Sequence, residues 1–193
     1  MLMQPKKSSS LRKLHSIHSL LVGREFIGEI ETGKSSQRFI YSPSSVSLSG
    51  GKIELIGSFT VRSAGQSHKA EAVKATLLAT QGNIQSPPPI PDGASASMLG
   101  MVPSADKPAT DSTGSRASIG VMYFKLSPLN GSKLGVPFDL SSLQLNARLN
   151  PPDEIARALQ FWFSAAVQAV MGESQNGKLA TESLSRINQL LKV

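Results

Sequence analysis

The residues Gly28-Glu29-Ile30-Glu31-Thr32-Gly33-Lys34-Ser35 fit the spacing of a phosphate-binding P-loop, G-x-x-x-x-G-K-[ST]. In such a loop, backbone amides cradle the phosphates, the lysine reaches the β/γ oxygens and the hydroxyl holds magnesium. The chemistry also requires a helix to start at the loop, because its N-terminal amides form part of the anion site. Here the following residues are Ser36-Gln37-Arg38-Phe39-Ile40-Tyr41-Ser42-Pro43. That run is short, β-prone and closed by proline. Glu29 and Glu31 would place two like charges beside the phosphates. No apolar strand ending in a magnesium-binding aspartate follows. A hairpin turn at Gly33-Lys34 accounts for the same residues, so a nucleotide-binding enzyme is the weakest of three readings.

Other chemistry finds less material still. The histidines are His15, His18 and His68. His15 and His18 would share a helix face, but no third metal ligand is near them. The chain contains no cysteine, which excludes disulfides, Cys-ligated zinc, iron–sulfur clusters and thiol catalysis. No G-x-S-x-G elbow supplies a serine nucleophile, and a triad needs a base beside it. The carboxylate pair Glu29/Glu31 falls on one face of a strand, and Asp153/Glu154 marks a helix start. The expectation is therefore a protein with no catalytic residue, no metal and no cofactor.

Charge and hydropathy bound the remaining classes. Of 193 residues, 39% are apolar and 17% charged, too little charge for a polyelectrolyte-like disordered chain. Aromatics make up 5%, so the core is expected to rest on Val, Ile, Leu and Ala. The net charge is +7, but Lys6, Lys7, Arg12, Lys13 and Arg24 all precede the first acid. The rest is nearly balanced, so the basic character belongs to the N-terminal arm and not to the body. Nucleic acid or a membrane surface would meet the chain through that arm. No stretch is apolar enough for a transmembrane helix, and polar residues after Lys13 interrupt any secretory h-region. The expected location is cytoplasmic, with an organelle transit peptide as the alternative.

The elements that must position any site divide into four stretches. Residues 1–23 read as a basic flexible arm, in which 11–22 could wind into a short amphipathic helix through Leu11, Leu14, Ile17 or His18, and Leu21. Residues 24–82 read as strands. Ile53, Leu55, Phe59 and Val61 alternate with Glu54, Ser58, Thr60 and Arg62, the mark of a strand with one wet face. Ser49-Gly50-Gly51-Lys52 and Gly65-Gln66 read as turns, and Pro43 is expected to end a strand. Residues 85–118, rich in Pro, Ser, Gly and Ala, read as a disordered insertion. Strands resume at Ile119–Leu126, Leu134–Leu140 and Leu143–Leu149, with a hairpin signal at Asn130-Gly131.

Pro151-Pro152-Asp153-Glu154 starts a helix over 153–171, and a second follows over 178–191. The sum is an α+β domain: an antiparallel β-sandwich or barrel of about seven strands with a C-terminal helical hairpin. Ala158–Met171 carries no charge and includes Phe161, Trp162, Phe163 and Val167. A helix so apolar completes its burial in the domain core or against another protein. Those four residues are the candidate partner-binding set. The leading expectation is thus a non-catalytic interaction module, a subunit or accessory protein docking on a protein partner or on its own copy. The alternative is a β-barrel carrier of a small apolar ligand.

Overall fold

The computed structural model describes residues 11–33, 35–63, 65–81, 119–172 and 175–192. The strands are β1 (Arg12–Lys13), β2 (Ser16–Val22), β3 (Glu25–Glu31), β4 (Ser36–Ser49), β5 (Lys52–Ser63), β6 (Gln66–Gln81), β7 (Val121–Leu126), β8 (Phe138–Asp139) and β9 (Gln144–Arg148). Two helices follow, α1 (Glu154–Met171) and α2 (Gly177–Lys192). Seven strands close into a barrel in the order β2-β3-β4-β5-β6-β7-β9. Every neighbouring pair is antiparallel except β9 with β2, which is parallel. The expected antiparallel barrel holds at every other interface and is corrected at this one. An up-and-down meander of an odd number of strands must bring first and last together in the same direction.

Turn chemistry sets the registers. Gly50 (φ 55°) and Gly51 (φ 73°) supply the two positive-φ positions of the β4–β5 turn, pairing Ser49 with Lys52. Register shifts fall at Pro43/Ser45, Gly57/Phe59 and Leu77/Ala79, one on each successive strand pair from β4 to β7. Such bulges bend long strands and let 12–16-residue β5 and β6 curl around the barrel. At Gly57 a Cβ would collide with the Ser42 carbonyl, so only glycine permits that approach.

Proline at position 43 does not end its strand as expected. β4 runs through it to Ser49. Pairing with β3 stops at Tyr41, so Pro43 sits beyond β3 and beside the bulge, where its missing N–H breaks no ladder. The edge of β4 left uncovered by β3 meets α2. There the Asn188 amide donates to the Val46 carbonyl and accepts from the Val46 N–H, both at 2.8 Å. One side chain thus completes the backbone pairing a strand would have made.

The buried core rests mainly on Val, Ile, Leu and Ala, as expected, with a few large rings among them inside the barrel. Phe26, Phe39, Tyr41, Phe59 and Phe124 are fully buried inside it. Phe39 stacks on Phe59 at 5.4 Å, and Phe26 contacts both Tyr41 and Phe124 at 6.2 and 6.0 Å. The Tyr41 hydroxyl donates to the Val73 carbonyl, and burial pushes its pKa upward.

Helices and loop close opposite ends. The 127–143 connection inserts Leu129, Leu134, Val136 and Leu140 at the end where β7 finishes and β9 begins. It is not the expected hairpin. Gly131 has no positive φ, and Asn130 instead caps a tight turn by accepting from Lys133 N. Of the Leu134–Leu140 strand, only Phe138–Asp139 survives. At the other end α1 crosses the barrel mouth.

The N-terminal arm also needs correction. Residues 16–22 form no helix and are not a free arm. They make β2, pointing Ile17, Ser19 and Leu21 inward. The leucines at helical spacing misled because Ile17 and Leu21 equally satisfy a period of two. Lys6 and Lys7, and the expected insertion at 85–118, lie outside the described residues.

Candidate interaction surface

The helix α1 is placed by the residue that caps it. Asp153 is the N-cap, and its Oδ1 accepts from Ala156 N at 2.8 Å. Its Oδ2 accepts from Gly23 N at the β2–β3 turn, also at 2.8 Å. Hydrogen bonds from the Ala156 and Gly23 amides hold this carboxyl below the usual carboxylate range. Two turns further on, Gln160 Nε2 donates to the Leu149 and Ile119 carbonyls at 3.1 and 3.2 Å. These bonds join helix to strand ends and fix which face of α1 looks inward.

That face carries Ala156, Leu159, Phe163, Ala166 and Val167, all buried. Phe163 and Val167, two of the four expected partner-binding residues, therefore belong to the core and cannot meet a partner. At 1% and 2% exposure they have no surface to offer. Phe161 and Trp162 are only partly buried. Trp162 rests on the core, whereas Phe161 lies outside it and meets the Trp162 ring edge-on at 4.8 Å.

The outward face continues through Ala158, Ala165 and Gln168 at spacings of three and four, with Ile155 and Met171 at its ends. Those two are 37% and 46% exposed. Ile155 and Met171 were missed from sequence. The phase of the helix relative to the barrel, fixed by Asp153 and Gln160, was the information lacking.

The other candidates are dispersed. The P-loop-like residues form β3 and the turn into β4, where Thr32 N donates to the Ser35 carbonyl and Gly33 has φ 78°. No helix begins there, so the phosphate reading loses its anion site. Glu29 accepts from Ser36 Oγ across that hairpin. His15 and His18 belong to the β2 region, and the His68 ring packs by Gly135. Among the described residues no group of three His, Cys, Asp or Glu could hold a metal. Arg12 and Lys13 lie in β1, which pairs parallel with β8. No helix among the described residues is long and apolar enough to cross a membrane. No known protein family, curated protein or solved structure matches this chain.

Proposed function

We propose that the chain is a non-catalytic protein-interaction module, a subunit or accessory protein that docks through the outward face of α1. The observation that carries this is the Phe161 ring. It sits outside the core on a helix with no charged residue from Ala158 to Met171, backed by Trp162. An aromatic anchor on a rigid, desolvated support is the type of residue that dominates binding energy. The ring-filled barrel favours docking over the carrier alternative, since the volume a ligand would take holds Phe26, Tyr41 and Phe124.

Alanine substitution separates anchor from core. Phe161→Ala should leave the melting temperature within a few degrees of the parent, yet release the protein partner that native mass spectrometry of the parent from its own source is expected to detect. Phe163→Ala should destabilise the fold by about 3–5 kcal/mol. Retention of the partner by Phe161→Ala would refute the docking face. A monomer carrying a reproducible small mass would move the assignment to the carrier.

A further inference from the structure

The stagger of the barrel leaves two lengths of strand with a neighbouring strand on one side alone. On β4 that length is Ser42–Ser49, and there α2 lies against the edge while Asn188 satisfies both backbone groups of Val46. On β6 it begins at Gln66. This length pairs with β5, but β7 joins β6 only from Ala75 onward. One step before that, Lys74 still exchanges bonds with Ser127, whose N–H donates to its carbonyl and whose hydroxyl accepts from its N–H. The Val73 carbonyl accepts from the Tyr41 hydroxyl. From Gln66 to Ala72, no bond to the free edge is made among the described residues.

Every second residue of an antiparallel strand turns its N–H and C=O away from its partner, so this edge offers a row of unpaired donors and acceptors. Gln66, Ser67, Lys69, Glu71 and Ala72 are exposed there. An edge in this state is a template for another strand unless its side chains forbid it. The charged side chains on it are Lys69 and Glu71, which share the outer face as a 2.7 Å ion pair with 53% and 69% of their side chains in solvent. Gln66 and Ser67, toward the turn, are uncharged.

The order of those two charges decides which strand is admitted. In an antiparallel pair of two β6 edges about a two-fold axis at Ala70, Lys69 lies opposite Glu71 of the partner subunit, and Glu71 opposite the partner subunit's Lys69. Moving the axis by one residue sets lysine against lysine or glutamate against glutamate, and like charges directly opposite destabilise a sheet. The edge is therefore complementary to itself in one register, as a closed two-fold interface requires. Ala70, at the axis, brings the smallest side chain to the closest approach.

We propose that the Gln66–Ala72 edge of β6 binds a second copy of this chain, joining two barrels through one continuous antiparallel sheet. This surface is separate from the outward face of α1 and does not rest on it.

The test is sedimentation equilibrium of the full chain at rising concentration, with thermal melts as the control for folding. The parent should reach the mass of a dimer. Lys69→Glu and Glu71→Lys each turn both charge pairs repulsive and should weaken the dimer about tenfold or more. The two variants mixed should form a dimer with each other, because glutamates then face lysines at both positions. The chain carrying both substitutions should dimerise like the parent, and Phe161→Ala should leave the dimer intact. Should either single variant melt early, the doubly substituted chain, with its ion pair reversed, decides alone. A parent that stays monomeric overturns the proposal, as do single variants that dimerise like the parent. A double variant that stays monomeric overturns the register and the proposal with it. A dimer lost in Phe161→Ala belongs to α1 and overturns it too.

Discussion

Asp153 joins α1 to the barrel through two hydrogen bonds, and its removal is the sharpest test of how the helix is held. Asp153→Ala deletes the helix cap to Ala156 N and leaves the Gly23 amide at the β2–β3 turn without its carboxylate. Loss of an N-cap costs about 0.5–2 kcal/mol, and loss of a hydrogen bond to a charged group roughly 1.5–3 kcal/mol. Together these give a loss of roughly 2–5 kcal/mol. In a chain of this size about 1 kcal/mol moves the melting temperature by roughly 2–4 °C, so the drop should be plain in a thermal melt followed by circular dichroism. Asp153→Asn keeps an acceptor for the cap but not the charge, and should fall between. The pH dependence follows from the direction of the shift. The Ala156 and Gly23 amides lower the folded-state pKa of Asp153. Its contribution is therefore fully present above the unfolded carboxylate pKa, about 4, and is lost as pH falls through the lower folded value. The gap between parent and Asp153→Asn should close over that acid range. An Asp153→Ala melt within a degree of the parent, or a gap that ignores pH, would refute the reasoning.

Two further substitutions probe the barrel. Ala72 sits at the β6 bulge with φ 53°, the left-handed region that costs an L-residue about 1–2 kcal/mol. Ala72→Gly should stabilise by about 0.5–1 kcal/mol after glycine's extra chain entropy is offset, and an unchanged or lower denaturant midpoint would contradict this. Asn188→Ala removes both bonds to Val46 and strands two backbone groups on the β4 edge. A loss of roughly 2–3 kcal/mol, with faster amide exchange at Val46, is expected. Unaltered exchange there would show that α2 packing alone covers the edge.

Much of the barrel was legible because its signals are local. The β4–β5 turn was marked by Gly50-Gly51, the β5 face by Ile53, Leu55, Phe59 and Val61, and the α1 start by Pro151-Pro152-Asp153. Each depends on backbone freedom or on side-chain alternation within a few residues. Three features were misread, because a neighbour in space decided them. β2 satisfied helix and strand periods together, and its pairing with β9, 127 residues away at Ser19 and Asn146, settled the matter. Pro43 is tolerated since β3 stops short of it. Asn130-Gly131 caps a turn in a loop that must plug the barrel end, and a two-residue hairpin there would leave that end open.

The partner-binding set shows where such reading runs out. An uncharged helix with three successive aromatics says that most of its circumference is buried, but not in what. Phe161, Trp162 and Phe163 are spaced by about 100° on a helix, so they cannot all face one partner. The structure resolves them into a radial series: Phe163 in the core, Trp162 on its rim and Phe161 outside. Three side chains, Asp153 bonded to Gly23, Gln160 to Leu149 and Ile119, and Asn188 to Val46, link the helices to strand ends and to the β4 edge. On the proposed docking, a face fixed in this way would lose little conformational freedom, and more of the contact energy of Phe161 would appear as affinity. The polar side chains that look incidental in the sequence are what set which aromatic ring faces outward.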